Sequence, residues 1–512
     1  MRALQNKPTL FERGGARILT LAEEYKLPLI TGFVFGLAAN LYAFTNKFVN
    51  ADELEYLFSK GATLSSGRWA LALTSYIFPD VSMPWIYGVI AVMILTVSAC
   101  VIIRTFEIKG RILQCVLAGL IVSFPVQTMT YTYMFTSVPY ALAVLLVALA
   151  VYVSLHGGRH TRWTGIVLLA LALGIYQAYI SLASGLFVTY LIRKAPEREW
   201  SWRRMFRCGI WCLAVLAGGL ALYFAVNKLV MTLTATQYND YATASITFKG
   251  LRGLFNAYAI FFKGIMYRYM LLVPSGFSRL LHLLLMGIAA LICLHALANK
   301  WIRGGKCILL ALLVMIYPLS INCLAAVTPG QHTVEYFSFY ALYVLFASLA
   351  DGIRLPRFGG AVRDATAVLL ALVLCANTVF SNMIFLKQKL VYEESYGFCQ
   401  QLVSRIKALP EYTGGERVVL AGRASGALYT VSEINMWNIV AVRDELISAY
   451  SRGSFLREYL GLDERVENAN VENVNFGFEP DESFMELYNS MPAFPADGSV
   501  VKRDRDIIVK LE

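Results

Sequence analysis

Apolar runs of roughly 20 residues recur along most of this chain, and each is long enough to cross a hydrocarbon core about 30 Å thick. Inside such a core the backbone must satisfy its own hydrogen bonds, so the runs are read as helices. The residues are 57% hydrophobic and 15% charged, against about 25% charged in a soluble domain. The expected class is an all-α polytopic membrane protein. The net charge of +11 is carried largely by Lys and Arg in short loops between the runs. That distribution speaks for topology rather than for a nucleic-acid partner.

Residues 1–26 carry Arg2, Lys7, Arg13, Arg17 and Lys26 and read as a cytoplasmic amphipathic lead-in. No small-residue cleavage site follows the first run, so no cleavable signal peptide is expected. The spans are placed at 27–45, 84–105, 112–127, 137–155, 209–230, 277–297, 307–326, 337–350 and 366–386. Residues 69–79 are apolar but too short to cross, and are expected to lie along or dip into the outer surface. The apolar stretch 163–192 has basic clusters at both ends. One span there would put the densest basic loop outside, so a hairpin of two short helices is expected, with its apex at Gly174-Ile175-Tyr176-Gln177-Ala178-Tyr179. The total is about 11 transmembrane helices over 27–386, with the N-terminus inside. The segment 127–133 reads as an uncharged outer loop. Within the long outer segment 231–276, Leu251, Leu254, Phe255, Tyr258 and Phe262 share one helical face, the pattern of an interfacial helix.

The polar tail, 387–512, reads as a small α/β or α+β domain outside the membrane. A helix is expected over Tyr392–Leu409 and strands over 417–422 and 506–511. It contains no Gly-rich phosphate loop, nucleophile elbow or zinc pattern. Of nine cysteines, eight lie in or beside apolar runs and Cys399 is alone in the tail, which speaks for packing rather than disulfides or zinc.

The chemistry-bearing stretch is 46–69, directly after the first span. It carries Asp52-Glu53 and closes on Gly67-Arg68-Trp69. A carboxylate there can accept a proton from a sugar hydroxyl, and an arginine can grip a phosphate with two prongs. Each residue also has a bland reading. The acidic pair can cap the helix that follows. Arg68 can snorkel beside Trp69 in the aromatic belt. Tyr176 and Gln177 can make a structural hydrogen bond rather than touch a sugar. His332 and Glu335, three apart in an uncharged loop, can be satisfied structurally. Lys249, Arg252, Lys263 and Arg268 can meet lipid headgroups.

The acidic pair before Gly-Arg-Trp, the apex Ile175-Tyr176-Gln177-Ala178-Tyr179 and the many-span body together resemble the Gtr-type (type II) glucosyltransferases, members of the GT-C membrane glycosyltransferases. The resemblance covers 27–390 in layout and 50–69 and 174–179 in motif. It implies transfer of a sugar, glucose in this family, from a polyprenyl-phosphate donor to a bacterial surface glycan such as O-antigen. The transfer would invert the anomeric carbon, with an acidic base in the first outer loop. Asp52 and Glu53 are then the catalytic carboxylates. Many members have two aspartates there, which leaves open which one is the base. Arg68 and Arg268 become candidates for the donor phosphate, and Trp69, Tyr176, Gln177, His332 and Glu335 for substrate. The implied setting is the bacterial plasma membrane, with the tail extracytoplasmic and a donor synthase and flippase as partners. No cofactor is assigned, with a divalent metal ion left open. An O-antigen polymerase or ligase would place its key arginines in a large middle outer loop. A lipid-linked glycan transporter or flippase would show inverted repeats and charges deep in its spans, and neither feature is evident here.

Overall fold

The computed structural model describes residues 10–48, 52, 63–79, 81–239, 250–266, 275–327, 332–352, 359–423, 450–462, 465–471 and 477–511. Helix α1 (Leu10–Glu24) leads into α2 (Lys26–Thr45). The short α3 (Trp69–Thr74) precedes α4 (Pro84–Thr105), α5 (Arg111–Val122), α6 (Pro125–Tyr131) and α7 (Ser137–His156). Next come α8 (Thr164–Ile175), α9 (Ile180–Lys194), α10 (Trp202–Leu233), α11 (Gly250–Met266), α12 (Gly276–Ala298), α13 (Gly305–Ser320) and α14 (Tyr340–Gly352). The last membrane helix is α15 (Gly359–Lys407).

Small residues bring the first helices together. A Cβ on Gly32 would meet Thr96 Cγ2 at 2.5 Å, one on Gly36 would meet Val92 Cγ1 at 2.4 Å, and one on Gly88 would meet the Phe44 ring at 2.2 Å. The α2–α4 seam therefore packs backbone close to side chain, as expected where dispersion rather than water exclusion holds helices together. Leu27, Ile30, Phe33, Val34 and Leu41 on α2 stay exposed, an apolar surface suited to lipid.

Among the described residues, eight helices are long and apolar enough to cross a membrane, fewer than the eleven spans expected. The difference lies in the short helices α8, α9 and α13. Helices α8 and α9 take the expected hairpin form. The start of α8 lies against α7, where Gly165 abuts the Ser154 hydroxyl. The end of α9 returns to the same end of the bundle, where Lys194 Nζ meets Glu107 Oε2 at 2.9 Å. The turn between them, at Tyr176, reaches the opposite end. The expected outer loop at 127–133 is corrected. Phe124-Pro125 breaks the third span, and the residues that follow form α6, whose side chains are all buried inside the bundle. Proline lacks the donor to continue α5, and Pro125 occupies the first position of the new helix. Helix α11 forms over the expected helical stretch. Leu251, Phe255 and Phe262 are exposed, while Gly253, Ala257 and Phe261 pack inward.

The last span and the tail helix were expected as separate elements, but they are one helix. The 49 residues of α15 would run roughly 74 Å at 1.5 Å per residue. No proline interrupts 366–407 and Gly397 stays helical, so the helix leaves the bundle and becomes part of the C-terminal domain. There Cys399, Leu402, Val403 and Ile406 pack with Val418, Leu420, Ile507 and Val509 on one face of a sheet. The sheet contains β1 (Arg417–Ala421), β2 (Val466–Ala469), β3 (Val500–Arg503) and β4 (Asp506–Lys510), in the order β2-β1-β4-β3. Strand β1 is parallel to both β2 and β4, and β3 is antiparallel to β4. Helix α16 (Glu482–Ser490) covers the other face through Phe484 and Tyr488. The domain is a three-layer α/β sandwich. The two strands expected from sequence pair with each other, and β2, β3 and α16 were not anticipated.

The two ends of the bundle should face opposite sides of the membrane. In a background without native cysteines, single cysteines replace Gln237 and Glu199, both exposed. An impermeant maleimide added to intact cells is expected to label Gln237→Cys and to spare Glu199→Cys. Labelling of Glu199→Cys from outside, with Gln237→Cys spared, would reject the hairpin.

Candidate functional site

The loop that follows the acidic stretch is held in a non-repetitive shape. The Gly67 N–H donates to Leu64 O at 2.8 Å and the Arg68 N–H to Thr63 O at 2.9 Å. Gly67 has φ of +72°, a left-handed conformation that glycine adopts without steric cost. A side chain there would also collide, since its Cβ would lie 2.8 Å from Tyr223 Oη and 3.2 Å from Gln177 Nε2. Those two groups latch the loop. Gln177 Nε2 donates to Ser66 O at 2.9 Å and to Tyr223 Oη at 3.0 Å. Tyr223 Oη in turn donates to Gly67 O at 3.0 Å. From the end of α10, the Asn239 N–H reaches Ser65 O at 3.2 Å and its side-chain amide reaches Ser66 Oγ at 3.2 Å.

Trp69 lies under this loop. It is 7% exposed and packs where Gly174 lacks a side chain, since a Cβ on Gly174 would sit 2.6 Å from the indole. It plugs the gap between α3 and the end of α8. The amide nitrogen of Gln177 is committed to the loop backbone.

Arg68 points the other way, onto aromatic rings. Its guanidinium carbon lies 4.9 Å from the centroid of Tyr176, and Nη1 donates to Tyr140 Oη at 3.4 Å. Tyr140 and Tyr176 are stacked at 4.6 Å with planes 9° apart. Tyr176 Oη then donates to Glu335 Oε1 at 3.5 Å. Glu335 is tied to His332 by one turn, its N–H bonding His332 O at 3.0 Å, and its Oε2 is buried without a hydrogen-bond partner. Asp52 completes the cluster. Its side chain keeps solvent contact, yet the surrounding protein desolvates it and pushes its pKa above the ordinary carboxylate value. Arg68 and then His332 pull it back by charge attraction.

The structure thus brings together Asp52, Arg68, Tyr176, His332 and Glu335, drawn from four places in the sequence. Glu53 and Arg268 lie outside the described residues, as does Lys249. Arg252 and Lys263 are exposed on α11, in keeping with headgroup contact. Sequence reasoning missed Tyr140 and Tyr223, one stacked on Tyr176 and the other locking Gly67. Each is a lone tyrosine within an apolar run, and no pattern marks it. No group of three His, Cys, Asp or Glu side chains that could hold a metal ion occurs among the described residues. The cluster combines a carboxylate, a guanidinium beside it and a second buried carboxylate. That set can accept a proton and hold an anionic oxygen within one small volume.

Gly67→Ala tests the latch. The left-handed backbone costs an alanine about 1–2 kcal/mol, and its methyl would push on Tyr223 and Gln177. Amide hydrogen exchange over 63–69 is expected to speed up while the remaining helices keep their protection. Unchanged exchange in that segment would show the latch to be unimportant.

Comparison with known proteins supplies the family. No curated protein and no solved structure matches the chain. The model of the family described as Glucosyl transferase GtrII matches residues 41–350, more than half of the chain. The match spans Asp52, Arg68, Tyr176, Gln177, His332 and Glu335 and ends before α15 and the C-terminal domain. By that match the chain belongs to the GtrII glucosyl transferase family, and with its apolar helices it is a membrane glucosyltransferase.

Proposed function

We propose that the protein transfers glucose from a polyprenyl-phosphate donor to a bacterial surface glycan such as O-antigen, with inversion, at the outer face of the plasma membrane. The observation that supports this reading most is the pairing of Asp52 with Arg68 on a loop locked to the membrane helices. In the proposed step an acceptor hydroxyl oxygen attacks the anomeric carbon from the face opposite the phosphate. The bond from that carbon to the phosphate oxygen breaks, and the polyprenyl phosphate leaves with the bonding electrons. Asp52 takes the hydroxyl proton, which a poor nucleophile must lose as it reacts. Arg68 holds the leaving phosphate through its fork of donors. The Tyr176 ring beneath the guanidinium carbon, 4.9 Å away, steadies that fork. Glu335 and Tyr176 position Arg68 and the acceptor, and the C-terminal domain stands outside the membrane near the glycan. A donor synthase and a flippase supply the lipid-linked sugar.

The test uses purified polyprenyl-phosphate glucose and native acceptor, with protein level in the membrane held equal. Asp52→Asn is expected to lower the transfer rate by about 10²–10⁴-fold. Glu53→Gln is expected to cost less if it only orients the acceptor. Arg68→Lys keeps the charge but loses the fork. It is expected to cost at least about tenfold, from a charge-assisted bond of about 1.5–3 kcal/mol. If Asp52→Asn and Glu53→Gln each keep more than about a tenth of the rate, against the loss expected for a base, the acidic pair is a cap.

The pH profile gives a second test. The base works only when deprotonated, and the Asp52 pKa is raised by burial. The rate is therefore expected to fall on acidification through a pH above the usual aspartate value of about 3.9. Arg68 lowers that pKa, so Arg68→Ala is expected to move the acid limb to still higher pH, whatever it does to the maximum. A limb that stays in place would separate Arg68 from the titrating group.

A further inference from the structure

We infer that the opposite, basic end of the bundle holds a second binding site, one for the phosphate of an anionic lipid headgroup. A cavity of about 1290 Å³ opens there between the α7–α8 loop, the α9–α10 loop and the end of α12. Its wall carries Arg162, Arg204 and Arg207, for which no carboxylate partner occurs among the described residues. Two of these guanidinium groups lie over indoles. Arg162 lies 4.2 Å from the centroid of Trp211, and Arg204 lies 4.5 Å from that of Trp200. The indoles are themselves fixed, Trp211 by donating to Ser154 O at 2.9 Å and Trp200 by burial at 8% exposure. Arg162 Nε is buried without a hydrogen-bond partner, a donor waiting for an acceptor.

The carboxylates nearby are largely used. Lys194 takes Glu107 at 2.9 Å and Glu197 at 3.2 Å, and Arg193 takes Glu197 at 3.0 Å. Glu199, exposed, is the other acidic lining residue. The cavity therefore keeps an excess of positive charge from guanidinium groups seated over indoles, and such groups suit a phosphate. Loop charges that only set topology need no cavity and no stacked indole. The source of the phosphate follows from the flanks. Phe206 and Ile210 on α10 and Leu291 and Leu294 on α12 are all more than half exposed. An anion held between these helices would thus have room for acyl chains beside it, as in basic pockets that take lipid headgroups.

The experiment uses the full-length chain in neutral detergent and follows its thermal unfolding midpoint against added lipid, since a ligand of the folded state raises it. Dioleoylphosphatidylglycerol is expected to raise the midpoint saturably, with dioleoylphosphatidylcholine and inorganic phosphate ineffective at equal concentration. Arg162→Gln and Arg204→Gln are each expected to weaken the half-saturation by about fivefold, the worth of one basic residue at a membrane surface. Arg203→Gln, on the same helix but outside the cavity, is expected to change it little. An equal effect of phosphatidylcholine, or an equal loss in Arg203→Gln, would overturn the site. Equal stabilisation by inorganic phosphate would make the ligand a soluble anion instead. If a pocket variant fails to fold, the comparison of the three ligands on the unaltered chain still decides.

Discussion

The side-chain amide of Gln177, with Tyr223 and Asn239 beside it, ties the membrane body to the loop that carries the chemistry. Its bonds to Ser66 O and Tyr223 Oη answer a problem that the hairpin creates. Where α8 ends and α9 begins, the backbone leaves helical geometry at Tyr176, inside a bundle that excludes water. Irregular backbone at such depth is tolerable only where protein covers its polar groups. The loop 63–68 meets this break, and each satisfies part of the other. Gly67 permits the approach because it has no side chain, and Trp69 fills the space left by Gly174. The shape of the site is therefore set by the need to satisfy polar groups in an apolar interior.

Arg68 depends on that arrangement. A guanidinium near apolar surroundings is costly unless its charge is compensated. The tyrosine pair Tyr140 and Tyr176 offers a ring face, Tyr140 offers a hydroxyl, and Asp52 and Glu335 offer opposite charge. These contacts orient the group while leaving it half-buried rather than sealed. The same balance acts on Asp52, where desolvation opposes attraction to Arg68 and His332. Burial and charge pull in opposite directions on both residues, so each is sensitive to what binds between them.

The two ends of the bundle differ in kind. At one end, a carboxylate cluster meets one arginine on a tightly latched loop. At the other, arginines lie over tryptophans around an open cavity. Helix α15 extends past the bundle into the C-terminal sandwich, and the aliphatic face at 399–406 forms part of that domain's core. The C-terminal domain is thus joined to the membrane body by continuous helix, with no proline between 366 and 407.

The apolar runs, the basic loops between them and the tail strands at 417–421 and 506–510 were all readable from the sequence. Hydrophobic length and charge placement act locally and need no partner to be evaluated. The hairpin at 163–192 was readable for the same reason, because its two basic ends could not be separated by a membrane. Asp52, Arg68, Tyr176 and Glu335 could be nominated singly as polar groups at the edges of apolar runs. Their convergence could not be derived that way, nor could the parts of Tyr140 and Tyr223, because those rest on which helices are neighbours. The buried turn at 125–131 reads as an uncharged outer loop until the surrounding helices are seen to cover it. Sequence determined which segments enter the membrane and which residues are costly there. Only the tertiary structure decided which of those residues meet, because a polar group in a low-dielectric interior is defined by its partners.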